Sequence, residues 1–163
     1  MIKRICYTFV CLLAGFGLTV SQLMAGSRKD VPNEVNLELG GKCLLYSFSY
    51  QRMLAEPLGL EAGISMLGTG SSGNVSTIVF FTGGGKFYII QGNASPYVGG
   101  GIVAVTASTE SGPFNSATGT YGYAGPGFEY RWEGGFLVRG SVYALFGEGG
   151  FFIWPGLSVG IAF

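Results

Sequence analysis

Five charged residues stand on the small-residue side of alternating stretches: Glu38, Glu61, Glu129, Arg131 and Arg139. Two carboxylates can divide acid and base roles when their surroundings push their proton affinities apart, and Glu38 with Glu61 is formally such a pair. Nothing else in the chain supports catalysis. Histidine is absent, which removes the commonest base near neutrality and most metal sites. No residue pattern places a nucleophile or an oxyanion hole beside the two glutamates. The glycine triplets at 83–85 and 99–101 lack the strand–loop–helix context and the Lys-Ser/Thr ending of a phosphate loop. The reading is therefore of a non-enzyme with no cofactor and no metal. The five charges suit another role. A charge in a narrow, low-dielectric interior is costly unless paired, so they are expected to form an ion-pair network that fills an interior. Arg139 with Glu129 is the strongest expected pair, and Glu38 is expected to meet an arginine at its own depth. A polar path for small solutes is the alternative use of the same residues.

The elements that must hold these charges are strands. From Asn33 onward the text is β-rich and glycine-punctuated, with no window of helical period. Eight strands are expected, near 33–40, 44–54, 58–68, 75–90, 96–108, 118–132, 135–146 and 154–163. The GGG at 83–85 reads as a bulge or bend inside the fourth strand, or as a hairpin turn that would change the count. After the second, fourth and sixth strands the connections are the short AEP, QGNAS and EGG. After the third, fifth and seventh they are the longer TGSSGN, STESGPFNSA and GEGGFFI. Short turns at one end and longer loops at the other mark an antiparallel meander of the kind found in outer-membrane barrels.

Composition decides which face of those strands is outside. Charged residues are 11% of the chain, against about 25% in an average globular domain. The face opposite the apolar one is mostly Gly, Ser and Ala with sparse charges. A water-facing exterior would carry charge on most strands, whereas the inside of an eight-stranded barrel has room for modest side chains. The wide face carries Tyr46, Phe48, Tyr50, Phe128, Tyr130, Trp132, Phe136, Phe146 and Phe163, a surface that would aggregate in water. These aromatics are expected to form girdles at the lipid interfaces. The fold class is thus all-β, an eight-stranded antiparallel up-and-down transmembrane barrel over 33–163, facing outer-membrane lipid. A soluble lipocalin-like ligand-binding barrel and a fibre subunit are the competing readings.

Residues 1–25 differ from the rest. Lys3 and Arg4 precede the apolar run ICYTFVCLLAGFGLTV and then SQLMA, the form of a cleaved secretory signal. The run is short for a membrane anchor, which needs about 20 residues. Residues 26–32 read as a short linker. After residue 25 the chain has seven Lys and Arg against nine acids, a net charge of −2, so nothing points to nucleic acid. Cys43 is then the single cysteine, expected to be an inert thiol. Both termini are expected in the periplasm, with loops 69–74, 108–117 and 147–153 facing outward toward an extracellular ligand that the residues do not name.

The stretches NLELGG, YSFSYQRML, LGLEAGIS, GGFLVRG and WPGLSVGIAF resemble the small bacterial outer-membrane β-barrel proteins grouped with the OmpA/OmpX-like barrels, often labelled porin-family proteins of unknown activity. The resemblance covers most of 33–163, with the segment 70–125 departing in detail. It implies insertion by the outer-membrane barrel assembly machinery, which recognises a last strand of alternating apolar residues with a terminal aromatic. Leu157, Val159, Ile161 and Phe163 match that pattern. No catalytic residue is carried over.

Overall fold

A computed structural model describes residues 28, 30–71, 74–109 and 116–163. Within them eight antiparallel strands close into a barrel in which each pairs with the next and β1 pairs with β8. The strands are β1 (Asn33–Gly40), β2 (Tyr46–Ala55), β3 (Leu58–Ser71), β4 (Asn74–Tyr88), β5 (Ala94–Thr109), β6 (Ser116–Arg131), β7 (Phe136–Gly147) and β8 (Gly150–Ala162). Closure leaves no free edge around the ring below the level of the β1–β2 turn. The seam is tied at its end by Asn33 N–H donating to Phe163 O (3.2 Å) and Phe163 N–H donating to Asn33 O (2.8 Å). The segment read as an export signal, 1–25, lies outside the described residues.

The registers fix the barrel's size. Stepping from Val35 across the strands passes Tyr50, Ala62, Gly83, Ile102, Gly122, Phe146 and Phe151. Phe151 lies five residues before Gly156, whose β1 partner is Gly40. The path therefore returns to the line of β1 ten residues beyond its start. For eight strands a stagger of ten corresponds to a tilt of about 40° and a radius of about 8 Å. An interior that narrow is filled by side chains.

Three expectations change. The GGG at 83–85 is neither a bulge nor a turn. It runs inside β4 with unbroken register to both β3 and β5. The glycines make room: a Cβ on Gly84 would overlap the Tyr123 hydroxyl and lie 2.5 Å from Gly100 O, and one on Gly101 would lie 2.8 Å from the same hydroxyl. The stretch GEGGFFI is not a loop of seven residues. Phe151, Phe152 and Ile153 belong to β8, paired with Phe146, Leu145 and Ala144, and the chain turns at Glu148 and Gly149, with Gly150 at φ +112°. The second strand starts two residues later than expected, because Gly41–Cys43 form a 3-10 turn, with Gly41 and the flanking Gly40 and Leu44 at positive φ. Of the loops expected at 69–74 and 108–117, residues 72–73 and 110–115 lie outside the described residues, and their flanks are strand.

Candidate functional site

The lumen holds the chemistry. Alternation turns Glu34, Asn36 and Glu38 of β1 inward, with Ser47, Ser49 and Gln51 of β2, Glu61 of β3, Lys86 and Tyr88 of β4, Glu129 and Arg131 of β6, and Arg139 of β7, all of them buried. Glu38, Glu61, Glu129, Arg131 and Arg139 are thus all inside, in two clusters.

The first lies toward the end where β1 begins and β8 ends. Arg139 Nε donates to Glu129 Oε2 at 3.0 Å, and its Nη2 donates to Glu34 Oε1 at 2.6 Å and also bonds Glu129. Glu129 and Arg139 are direct register partners across β6 and β7. Arg131 Nη2 reaches Glu34 Oε2 at 2.7 Å and Glu129 Oε1 at 3.4 Å. Arg28, ahead of β1, pairs with Glu129, donates to Gly92 O at 3.1 Å and lies 4.2 Å from the centre of the Tyr88 ring. Two carboxylates thus serve three guanidiniums, with the Tyr88 hydroxyl donating to Glu129 at 2.9 Å.

The second cluster lies higher. Lys42 Nζ sits 2.9 Å from Glu38 Oε2 and 2.6 Å from Glu61 Oε1, and Lys86 pairs with Glu61. Glu38 also accepts from Tyr143 at 3.2 Å; its partner is the turn lysine, and no bond or ion pair from an arginine reaches it among those found in the described residues. Gln51 joins the clusters: its Oε1 accepts from Lys86 at 2.8 Å and its Nε2 donates to the Tyr88 hydroxyl at 2.8 Å. Five cations and four carboxylates therefore form one connected, buried network. Above it the lumen turns apolar, with Cys43, Phe80, Val103, Tyr123, Tyr143 and Leu145 packed together. Cys43 is fully buried. This arrangement can hold the wall rigid.

Sequence reading missed Arg28, Glu34, Lys42 and Lys86. Glu34 was legible, since it shares the parity of Glu38. Lys86 was hidden by the uncertain triplet before it. Arg28 and Lys42 lie in a linker and a turn, where no period points them inward.

The outward face carries the aromatics. Phe48, Tyr50, Phe128, Trp132, Phe136, Phe146 and Phe163 are exposed, while Tyr46 and Tyr130 are half-buried. Tyr130, Trp132 and Phe136 form a continuous ring group, with centroids 4.6 and 5.3 Å apart. Leu157, Val159, Ile161 and Phe163 all point outward.

This is the fold of the small bacterial outer-membrane barrels: eight strands, up and down, closed on themselves, apolar outside and charged inside. Among solved structures the chain is similar to the N-terminal β-barrel domain of Pseudomonas aeruginosa OprF, with a TM-score of 0.59 and 18% identity over 80% of this chain and 95% of that one. It is also similar to the Yersinia pestis outer membrane protein Ail in a phospholipid bilayer nanodisc, with a TM-score of 0.51 and 16% identity over 81% and 99% of the two chains. No protein-family model matches the sequence, and no curated protein matches it.

Proposed function

We propose that the protein is an integral outer-membrane barrel with a structural or surface-interaction role, non-enzymatic, with a side-chain-filled lumen and both termini in the periplasm. One observation carries the reading: the surface is inverted. Leu39, Phe48, Leu60, Met66, Ile102, Leu157 and Ile161 are each more than 40% exposed, while nine charged side chains are buried. In water the exposed belt would drive aggregation, and the buried charges would lack a reason to be inside. In lipid the apolar belt meets its solvent, and the closed ring satisfies the backbone internally. A lipocalin-like soluble barrel would need the opposite arrangement.

Cell fractionation joined to heat-modifiability tests this. The protein is expected in the outer-membrane fraction, soluble only with detergent, and to migrate differently on a gel before and after boiling. Recovery in the aqueous periplasmic fraction, with no shift on boiling, would overturn it.

A further inference from the structure

The wall of the barrel is not level. At a tilt of about 40° each residue climbs about 2.5 Å along the axis. Measured from Phe163, β3 to β6 rise to roughly 37–40 Å and the β7–β8 hairpin to about 30 Å, but β1 ends at Gly40, about 20 Å up. Pairing between β1 and β8 stops at Gly40 and Gly156, and pairing between β2 and β3 stops at Phe48 and Ile64. The upper parts of β8 and β3 thus flank a notch above the β1–β2 turn. An outer-membrane barrel carries an apolar band about 25 Å tall, so, counted from Phe163, the floor of the notch stands near the top of that band.

The residues beside the notch break the inside–outside rule of the rest of β8. Phe152 and Trp154 have the same parity as the buried Gly156 and Ser158, yet they are 49% and 39% exposed. They are uncovered because no strand of β1 stands opposite them. A cleft of about 480 Å³ opens there, lined by Leu44, Tyr121, Leu145, Phe146, Phe151 and Phe152. That volume is within the usual range of small-ligand sites, roughly 300–1,000 Å³. Leu44, Leu145 and Tyr121 connect it to the apolar upper lumen, and Phe146 and Phe151, both exposed, connect it to the outward apolar face. Trp154 Nε1 donates to Leu44 O at 3.0 Å, which fixes the turn as the floor of the notch. Beside the cleft, sharing Tyr121, Gly147 and Gly149, lies a second opening lined by Thr118, Thr120 and Glu148.

We infer that this notch is a lateral binding site for the hydrocarbon chain of an outer-leaflet amphiphile with an uncharged or cationic head. The chain enters from the bilayer over Phe146 and Phe151 and lies against Leu44, Leu145 and Phe152. The head sits among the hydroxyls of Thr118 and Thr120 and the carboxylate of Glu148, which disfavours an anion. The occupant follows from continuity: the cleft is contiguous with the outward apolar face and stands roughly 24–30 Å above Phe163, at the upper border of the apolar band, where an amphiphile's chain meets its head. This inference rests on the membrane placement proposed above.

The probe is 11-bromoundecanol, whose terminal bromine quenches tryptophan on contact. The chain has two tryptophans, so Trp132→Phe leaves Trp154, whose ring centroid is 6.4 Å from that of Phe152. The Trp132→Phe protein is reconstituted in phosphatidylcholine vesicles, and folding is checked by the gel shift. Trp154 quenching is expected to saturate with added probe. Adding Phe152→Glu, at an exposed position, should raise the half-quenching concentration about ten-fold. Gly149→Phe, where an added Cβ meets nothing within 4 Å, obstructs the cleft without a charge and should shift it the same way. Quenching that grows without saturation, as bulk partitioning gives, or saturation that both variants leave unmoved, overturns the site. Failure of the protein to enter vesicles in a heat-modifiable form would overturn the membrane placement instead.

Discussion

Glu129 is the residue on which most of the lumen converges. It binds Arg28, Arg131 and Arg139 and accepts from Tyr88. Removing one partner of a buried ion cluster leaves the others uncompensated, at a cost of about 3–5 kcal/mol. Glu129→Ala is expected to lose that much in urea unfolding from vesicles, followed by tryptophan fluorescence. Glu129→Gln, which keeps an acceptor, should lose less. A loss under about 1 kcal/mol for the alanine variant would mean that water reaches the cluster and screens it. Cys43 makes the complementary case. It is fully buried within the β1–β2 turn, so a maleimide should leave it unmodified in the folded barrel and label it after boiling. Labelling of the folded form would show that the turn opens. At this scale the sequence was partly readable. Parity put Glu38, Glu61, Glu129, Arg131 and Arg139 on one face. Which carboxylate meets which cation depends on pairs about a hundred residues apart, such as Arg139 with Glu34, and no local pattern encodes that.

Among the elements, β4 shows how a wall strand is shaped by a side chain two strands along the wall, Tyr123 of β6. Gly83 and Gly84 are adjacent, yet a Cβ on Gly83 meets nothing within 4 Å while one on Gly84 overlaps Tyr123. Gly84→Ala is expected to cost about 1–3 kcal/mol by overpacking. Gly83→Ala should stay within about 0.5 kcal/mol of the parent. Equal effects in urea unfolding would remove Tyr123 as the reason for the glycine. At the seam, deletion of Phe163 removes the last bonded pair with Asn33 and is expected to lower the heat-modifiable fraction recovered in the outer membrane. Normal recovery would count against a role for the terminal residue in insertion. Strand identity was legible because period-2 alternation is local. The limits of β8 were not: GEGGFFI reads as a loop by its glycines, and only pairing with β7 makes Phe151, Phe152 and Ile153 strand.

The described residues form a narrow cylinder whose middle is occupied by Arg139, Tyr88, Tyr97 and Gln51, all essentially without exposure. In a planar bilayer the protein is expected to give no steady openings; regular conductance steps that change with Arg139→Ala would favour a channel instead. The sequence by itself determined the strands, the two faces and the inverted polarity, because alternation, composition and the placing of small residues are properties of neighbours along the chain. Those properties also set the class of solvent the outer face requires. The tertiary structure alone decided the stagger of ten residues, the partners of each charge, the entry of Arg28 and Lys42 into the lumen, and the uneven rim with its notch. Each depends on the register accumulated around all eight strands, and a closed ring fixes that register only when the last strand meets the first.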